Sequence, residues 1–234
     1  MSQPAPSSRS QPTSPQPQRL LVSDFDGTMT RWDFYDLVRK QWPLPPDDDP
    51  WEQYVAGRLT HFAALAEIFA RIRTDEATLL GLVDRMELDP CLPQAARTLR
   101  EHGWTITVAS AGCEWYLLRL LRQAGLALEV HANPGEFSPA TGLRMHLPEN
   151  SRFFSPSTGI DKLAVVKDAR QRSAEVAFAG DGRPDLEPSL LVSPERRFAR
   201  GWLAENLHRR RQAFHHFEDW AELAHLLLDP SSPC

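Results

Sequence analysis

The sequence predicts an α/β fold with a doubly wound, Rossmann-like parallel sheet and a helical cap inserted after the first strand. Short apolar runs that are typical of buried strands alternate with amphipathic helical patterns, which indicates parallel βαβ units. The alternation is interrupted once, between residues 33 and 90, where helical patterns follow one another without a strand. Carboxylates come directly after two of the predicted strands, where open α/β sheets bind their ligands.

Four apolar runs predict the strands of this sheet. Each run is short and bounded by a turn residue or a helical pattern, as expected for a buried strand. The predicted strands cover residues 20–25, 104–109, 128–131 and 175–179. Helices are predicted over residues 93–102, 114–124, 160–172, 202–212 and 218–228, with Gly103 and Gly125 at the C′ position of the first two.

The predicted cap contains a Pro- and Asp-rich loop at residues 43–50 and two helical patterns. Thr60 and Thr74 each precede apolar residues at helical spacing, so we expect them to be the N-caps of these helices. Residues 136–147, later in the chain, predict a small hairpin. We expect Arg31, Arg58 and His61 to lie on a solvated face. The aromatic residues of this region are expected to pack in the core of the cap, and the alternative is that they line a substrate pocket; they are Trp32, Trp42, Trp51, Tyr54 and Phe62.

The domain organisation follows from composition. Residues 1–18 contain five Pro, five Ser and four Gln, which predicts a disordered tail because such a segment buries too little apolar surface to offset its ordering entropy. The tail lacks the apolar stretch of a secretory signal. We expect the core domain to comprise residues 19–32 and 91–234, and the cap to comprise residues 33–90.

Charge and cysteine content exclude several classes of protein. The 234 residues include 26 Lys and Arg against 31 Asp and Glu, and this net charge of −5 argues against a nucleic-acid or anionic-membrane surface. No apolar run approaches the roughly 18 residues that span a bilayer. The three cysteines form neither a disulfide framework nor a CxxC zinc site, so we expect a cytoplasmic protein. The basic residues 208–211, with His215 and His216, could form an anion or nucleic-acid patch, but the run is short and lies in an acidic chain, so we expect an ordinary helix surface there.

Two carboxylates directly after the first predicted strand are the strongest functional signal. Asp24 and Asp26 are separated by one residue, so in an extended segment both side chains point to the same side. Gly27 then allows a sharp turn. Two acids this close repel each other unless a cation or a shared proton lies between them, and Mg²⁺ is the natural partner for their oxygens.

Three further signals follow other predicted strands or open a helix. Asp181 and Asp185, in the segment GDGRPD, add two carboxylates after the fourth strand. Residues 110–112, Ser-Ala-Gly, place a hydroxyl and backbone N–H groups at a predicted strand-to-helix turn, which indicates an anion cradle. Lys162 lies near the start of a predicted helix, where its charge can meet a phosphate.

Taken in order, DFDGT at residues 24–28, Ser110, Lys162 and GDGRPD at residues 180–185 resemble the four motifs of the haloacid dehalogenase-like phosphohydrolases. The motifs extend over nearly all of the predicted folded chain. The helical insert is similar to the cap of the phosphoserine phosphatase-like branch of that superfamily. An Asp in the segment after DFDGT and the later segment FARGWL make the chain most similar, within this branch, to the methionine-salvage phosphatases, which act on 2-hydroxy-3-keto-5-methylthiopentenyl-1-phosphate.

The resemblance implies catalytic and metal-binding roles for the four aspartates. Asp24 is similar to the nucleophile that forms an aspartyl-phosphate, and Asp26 to the general acid and base. Mg²⁺ would be held by Asp24, the backbone carbonyl of Asp26 and Asp181, with Asp185 supporting it through water or by hydrogen bonds.

The resemblance also implies the groups that bind the transferring phosphoryl. These are Ser110 and Lys162, with Thr28 and the backbone N–H of Ala111 assisting. The chain departs from the pattern in three places. Ala111 stands where the branch usually has Gly, the fourth motif carries Arg183-Pro184, and Asp33 stands in the region where phosphoserine phosphatases carry Glu.

The expected activity is Mg²⁺-dependent hydrolysis of a small phosphorylated metabolite by a monomer or homodimer. Methionine salvage is the first hypothesis for the substrate, and phosphoserine or another small phosphomonoester is the alternative. A non-catalytic phosphometabolite-binding protein on the same scaffold is the alternative from another class. The acidic nucleophile argues against it, since a binding protein needs none.

Overall fold

The computed structural model describes residues 19–229 and contains a central six-stranded parallel sheet, which confirms the predicted fold class. The strands are β1 (Arg19–Ser23), β2 (Trp104–Cys113), β3 (Glu129–Asn133), β4 (Gly135–Ser138), β5 (Gly142–Met145), β6 (Phe154–Ser155), β7 (Gly159–Ile160), β8 (Glu175–Gly180), β9 (Arg197–Ala199) and β10 (His215–His216). The central sheet has the order β10-β9-β8-β1-β2-β3, and β1 lies in its middle between β8 and β2.

Helices cover the sheet and form the segment between β1 and β2. They are α1 (Phe34–Gln41), α2 (Pro50–Val55), α3 (His61–Ala70), α4 (Glu76–Asp84), α5 (Leu92–Glu101), α6 (Glu114–Gln123), α7 (Lys162–Arg172), α8 (Leu186–Ser189), α9 (Gly201–Arg209) and α10 (Trp220–Leu228). Between residues 19 and 229, no helix is long and apolar enough to cross a lipid bilayer.

The four strands predicted from apolar runs are all present, with one correction at β2. That strand continues to Cys113, so Ser110 and Gly112 lie in its irregular last part and not in a turn after residue 109. Pairing with β3 is interrupted after Ala109 and resumes at Cys113, opposite Asn133. The chain therefore stays extended beyond the predicted end because β3 pairs with it again.

The segment between β1 and β2 is helical, as predicted, apart from an isolated bridge between Thr30 and Leu88. Thr60 caps α3 by accepting a hydrogen bond from the Ala63 N–H, at 3.1 Å. The cap predicted at Thr74 is wrong, because the Asp75 carboxylate caps α4 instead. Both residue types are good N-caps, so composition does not choose between neighbours.

Helices α1 and α2 are not among the predicted elements, and α2 begins at Pro50, where the predicted loop ends. The first of them packs on the core through an aromatic cluster. The Phe34 ring lies 5.2 Å from Phe69 of α3 and 4.5 Å from Tyr116 of α6, measured between centroids. The helical segment is therefore anchored to the helix that follows β2.

Other predictions about the chain have mixed outcomes. The hairpin predicted over residues 136–147 is confirmed as the antiparallel pair β4–β5. Strands β6, β7, β9 and β10 are only two or three residues long and are not among the predicted strands. The tail predicted to be disordered, residues 1–18, lies outside the described residues.

Candidate active site

The carboxyl ends of β1 and β8 bring two aspartates together at one edge of the sheet. The two strands are parallel and in register, with Ser23 opposite Ala179, and Asp24 and Asp181 follow their ends. The Asp24 N–H donates to the carbonyl of Ala179 at 2.9 Å, which continues the pairing by one residue. The site therefore lies at the edge that the sequence predicts.

Lys162 joins two of the predicted aspartates in a buried ion-paired cluster. Its Nζ lies 2.7 Å from Oδ1 of Asp24 and 2.6 Å from Oδ1 of Asp185, and all three side chains are almost fully enclosed. Burial alone would lower the pKa of Lys162, but the charges of Asp185 and Asp24 outweigh burial and raise it. Burial, with the negative charge of Asp185 adding, raises the pKa of Asp24 well above its usual range.

Asp24 keeps one carboxylate oxygen available for chemistry. Oδ1 accepts the Lys162 ion pair and a hydrogen bond from the Phe25 N–H at 2.7 Å. Oδ2 accepts no hydrogen bond from any residue between 19 and 229, and Asp24 lines a cavity. One oxygen is therefore fixed, and the other faces whatever enters the site.

Asp181 is oriented by the loop that follows β1. The Thr28 hydroxyl donates to its Oδ1 at 2.9 Å. Gly27 has a φ of +68°, and a Cβ at this position would overlap the Asp181 carboxylate, so both conformation and space require glycine. Burial raises the pKa of Asp181 to about 7, with the charge of Asp185 adding to the effect.

The residues present fit a divalent cation. Asp24, Asp181 and Asp185 each offer an oxygen within 4.8 Å of the others, and their mutual repulsion favours a cation between them. Asp185 is already engaged, because one oxygen meets Lys162 and the other accepts the N–H groups of Asp181 and Gly182. Asp24 and Asp181 are thus the better direct ligands, and Asp185 fixes the loop and the lysine.

Asp26 lies beside Asp24 in a different environment. Its carboxylate accepts a hydrogen bond from the Phe34 N–H at 3.1 Å, and the Tyr116 hydroxyl lies 3.0 and 2.9 Å from its two oxygens. Burial raises its pKa to about 6, although both hydrogen bonds act in the opposite direction. A carboxyl that titrates near neutral pH is suited to both giving and taking a proton.

The last part of β2 brings the residues of the predicted anion cradle to the cavity. Ser110 and Ala111 are buried and line the cavity, and the Gly112 N–H donates to Oγ of Ser110 at 3.0 Å. A Cβ on Gly112 would collide with the Tyr116 hydroxyl and approach the Asp26 carboxylate. Asn133 holds the segment by donating to the Ala111 carbonyl at 2.7 Å.

The cavity above these groups measures about 390 Å³, and its wall combines charged and polar groups with several aromatic side chains. Tyr35 and Trp51 stack with ring centroids 4.0 Å apart, and Arg183 lies over the Trp202 ring at 4.8 Å. Asp33 also lines the cavity, and its carboxylate makes no hydrogen bond or ion pair with residues 19–229. This volume suits a small molecule rather than a polymer.

The structure bears on two sequence expectations about this site. Thr28 is not among the residues that line the cavity, and its hydroxyl donates to Asp181; its expected assistance in phosphate binding stays a prediction. His61 does not lie on a solvated face, because it is only 7% exposed and lines the cavity. Trp51 likewise contributes to the cavity, the alternative that the sequence leaves open.

Two residues that hold parts of the site in place, Arg200 and Tyr116, are only weakly indicated by the sequence. Arg200 donates to the carbonyls of Gly27, Thr28 and Thr30 at 2.6, 3.0 and 2.7 Å, and so clamps the loop after β1. Its one signal in the sequence is its place in the FARGWL segment. Tyr116 lies in a predicted helix, but its hydrogen bond to Asp26 joins residues 90 positions apart and depends on packing.

A comparison with known protein families matches the part of the chain that forms this site. The family model described as haloacid dehalogenase-like hydrolase matches residues 21–187, which include all four candidate motifs. No curated protein sequence matches the chain significantly.

Solved structures with the same fold include a HAD family hydrolase and phosphoserine phosphatases. A HAD family hydrolase from Salmonella enterica subsp. enterica serovar Typhi superposes with a TM-score of 0.69 at 21% identity, covering 93% of this chain and 74% of that one. A phosphoserine phosphatase from T. onnurineus gives a TM-score of 0.61 at 21% identity, covering 93% and 98%. A phosphoserine phosphatase in the form of a phospho-aspartyl intermediate analogue gives 0.63 at 13% identity, covering 89% and 98%. At these identities the likeness establishes the fold.

Proposed function

Because the chain belongs to the haloacid dehalogenase-like hydrolase family, we propose that it is a Mg²⁺-dependent phosphatase acting through an aspartyl-phosphate at Asp24. The observation that carries the proposal is the state of Asp24. One of its oxygens is held by Lys162 at 2.7 Å, and the other is open to the cavity. A carboxylate fixed in this way at a cavity floor is poised to attack an electrophile.

In the proposed reaction the free oxygen of Asp24 attacks phosphorus, and the bond from phosphorus to the leaving oxygen breaks. Asp26 gives its proton to the departing alkoxide and then takes a proton from the water that hydrolyses the aspartyl-phosphate. Lys162, the Ser110 hydroxyl and the backbone N–H of Ala111 contact the phosphoryl oxygens.

Mg²⁺, when bound by Asp24, Asp181 and the backbone carbonyl of Asp26, would neutralise charge on the phosphoryl group. Asp185 would support the ion indirectly by holding Lys162 and the loop after β8. Thr28 would contribute in the same way through its hydrogen bond to Asp181.

The substrate is proposed to be a small phosphorylated metabolite. The methionine-salvage intermediate 2-hydroxy-3-keto-5-methylthiopentenyl-1-phosphate is the first candidate, supported by the resemblance of the sequence segments. Phosphoserine is the second, supported by the similarity in fold to two phosphoserine phosphatases. The Asp33 carboxylate also supports it, because it lines the cavity without a partner among residues 19–229 and can meet an ammonium group.

We further propose that residues 33–90 act as a cap whose closure excludes water from the reaction. Tyr35, Trp51 and His61 support this role, because all three come from this segment and line the cavity above the aspartates. Residues 19–32 and 91–234 would then be the core domain. A cytoplasmic location and a monomeric or homodimeric state remain part of the proposal.

Hydrolysis assays test the proposed function against a phosphometabolite-binding protein. We expect Mg²⁺-dependent release of phosphate from p-nitrophenyl phosphate and from at least one of a panel of metabolite phosphates that includes both candidates. Asp24→Asn should abolish turnover while the protein stays folded by circular dichroism, whereas the exposed control Asp47→Asn should not. Binding of phosphometabolites without any turnover would favour the binding protein.

A further inference from the structure

The imidazole of His61 occupies a fixed place in the aromatic part of the cavity wall. It is 7% exposed, and the rings of Trp51 and Tyr54 lie edge-on to it at 5.7 and 5.2 Å between centroids. The next residue, Phe62, donates its N–H to the carbonyl of Ser157 at 2.8 Å, which ties the start of α3 to the turn between β6 and β7. The ring therefore has little freedom to turn away from the cavity.

The hydrogen bonding of this ring is incomplete. Nδ1 is enclosed and has no partner among residues 19–229, while Nε2 also makes no hydrogen bond there but is not enclosed. Burial lowers the pKa of His61 to about 4, and the charge of Lys162 adds to this, so the ring is neutral near pH 7. An enclosed N–H without an acceptor is costlier than an enclosed lone pair, which places the single proton on Nε2.

We propose that His61 is a specificity residue whose Nε2–H donates a hydrogen bond to an uncharged acceptor atom on the leaving group of the substrate. This inference rests on the proposed phosphatase function and narrows its substrate class. The leaving group would carry a carbonyl, ether or ring-nitrogen acceptor and place its apolar part against Tyr35 and Trp51.

The leaving group is a better partner for His61 than the phosphoryl group is. Lys162 and Ser110 already face the phosphoryl position. An anionic oxygen against the ring would favour the imidazolium form, which burial disfavours. His61 also belongs to the same wall as the stacked pair Tyr35 and Trp51, the part of the cavity suited to the organic portion of a substrate.

A matched set of phosphate esters tests the proposal. Benzyl phosphate has no acceptor on its ring, whereas the 2-, 3- and 4-pyridylmethyl phosphates have nearly the same shape and carry a ring nitrogen at three positions. In the wild type, we expect kcat/KM for the best pyridyl ester to exceed that for benzyl phosphate by about fivefold to tenfold, the worth of one hydrogen bond. His61→Phe should bring this ratio to near 1, and His61→Gln, which retains a donor, should keep part of it.

The exposed His225 on α10 provides a matched control, since His225→Phe should leave the ratio at its wild-type value. A ratio that is the same in His61→Phe and the wild type would overturn the proposal. An equal loss on all four esters would also overturn it, because His61 would then act on the common phosphoryl group. Failure of the wild type to hydrolyse any ester, p-nitrophenyl phosphate included, would instead refute the proposed phosphatase function.

A measurement on the wild-type protein does not depend on the variants folding. Nitrogen-15 chemical shifts of the histidine rings distinguish the two neutral tautomers, and the signals missing from His61→Gln assign those of His61. We expect the Nε2–H tautomer at pH 7. The Nδ1–H tautomer, or a charged ring, would contradict the proposal.

Discussion

The Lys162 ammonium lies 2.7 Å from the Asp24 carboxylate and is itself buried, so each charge depends on the other. Oδ1 of Asp185 lies 2.6 Å from the same Nζ, so one lysine is paired with two carboxylates. This arrangement fixes one oxygen of Asp24 and places Lys162 in the cavity wall, where we propose that it meets the phosphoryl group.

Replacing this lysine by an uncharged residue of similar length tests both of its roles. Lys162→Met leaves two buried carboxylates without their cation, so the free energy of unfolding should fall by about 3–5 kcal/mol. Turnover of p-nitrophenyl phosphate should fall at least about a hundredfold, since a charge on the phosphoryl oxygens is lost. The exposed Lys167 on the same helix is the control, and Lys167→Met should change neither urea denaturation nor rate. Near-normal turnover in Lys162→Met would exclude it from phosphoryl binding.

The acidic cluster predicts that Mg²⁺ stabilises the folded protein. The oxygens of Asp24, Asp181 and Asp185 repel one another, and a bound cation would relieve this repulsion in the folded state only. Millimolar Mg²⁺ should therefore raise the Tm of the wild type, and Asp181→Asn should remove most of that increase. The exposed control Asp84→Asn should respond as the wild type does. An unchanged Tm on adding Mg²⁺, Mn²⁺ or Ca²⁺ would contradict a cation site here.

Asp26 should matter most for esters with poor leaving groups. An alkoxide needs a proton as it departs, whereas p-nitrophenolate leaves readily without one. Asp26→Asn should therefore reduce kcat/KM for an alkyl phosphate by at least about tenfold more than for p-nitrophenyl phosphate. Equal losses on the two substrates would remove Asp26 from the role of general acid.

The raised pKa of Asp26 predicts a pH-dependent cost to folding. Its pKa is about 6 in the folded protein against an ordinary value of 3.8, because burial disfavours the carboxylate. The cost is absent below about pH 4, grows up to about pH 6 and is constant above it. In metal-free buffer, Asp26→Asn should therefore gain stability relative to the wild type between pH 4 and 7, by up to about 3 kcal/mol. A difference that does not vary with pH in urea denaturation would contradict this burial effect.

The sequence predicts the sheet and the position of the aspartates for physical reasons. Central strands of a parallel sheet are buried on both faces, so β1, β2 and β8 appear as apolar runs. Residues that follow such runs meet at one edge of the sheet, so local pattern alone is enough to predict that Asp24 and Asp181 lie close together. Short strands such as β9 and β10 carry too few residues to show a period.

Side-chain partners are not predictable in the same way. The contacts of Tyr116 with Asp26, of Arg200 with Gly27 and of His61 with Trp51 depend on packing between elements rather than on local spacing. For each of these residues, the neighbouring sequence predicts at most the secondary structure and not the side chain that it contacts. Which residues close the cavity is therefore determined by the packing of distant segments and not by any local pattern.

Chemical trapping at Asp24 tests the central claim most directly. Borohydride reduces an aspartyl-phosphate to homoserine, so quenching the enzyme with it during turnover of p-nitrophenyl phosphate with Mg²⁺ marks the nucleophile. Peptide mass spectrometry should find homoserine at position 24 in the wild type, and no conversion without substrate. Turnover accompanied by an unmodified Asp24, or by a mark on another residue, would contradict the account.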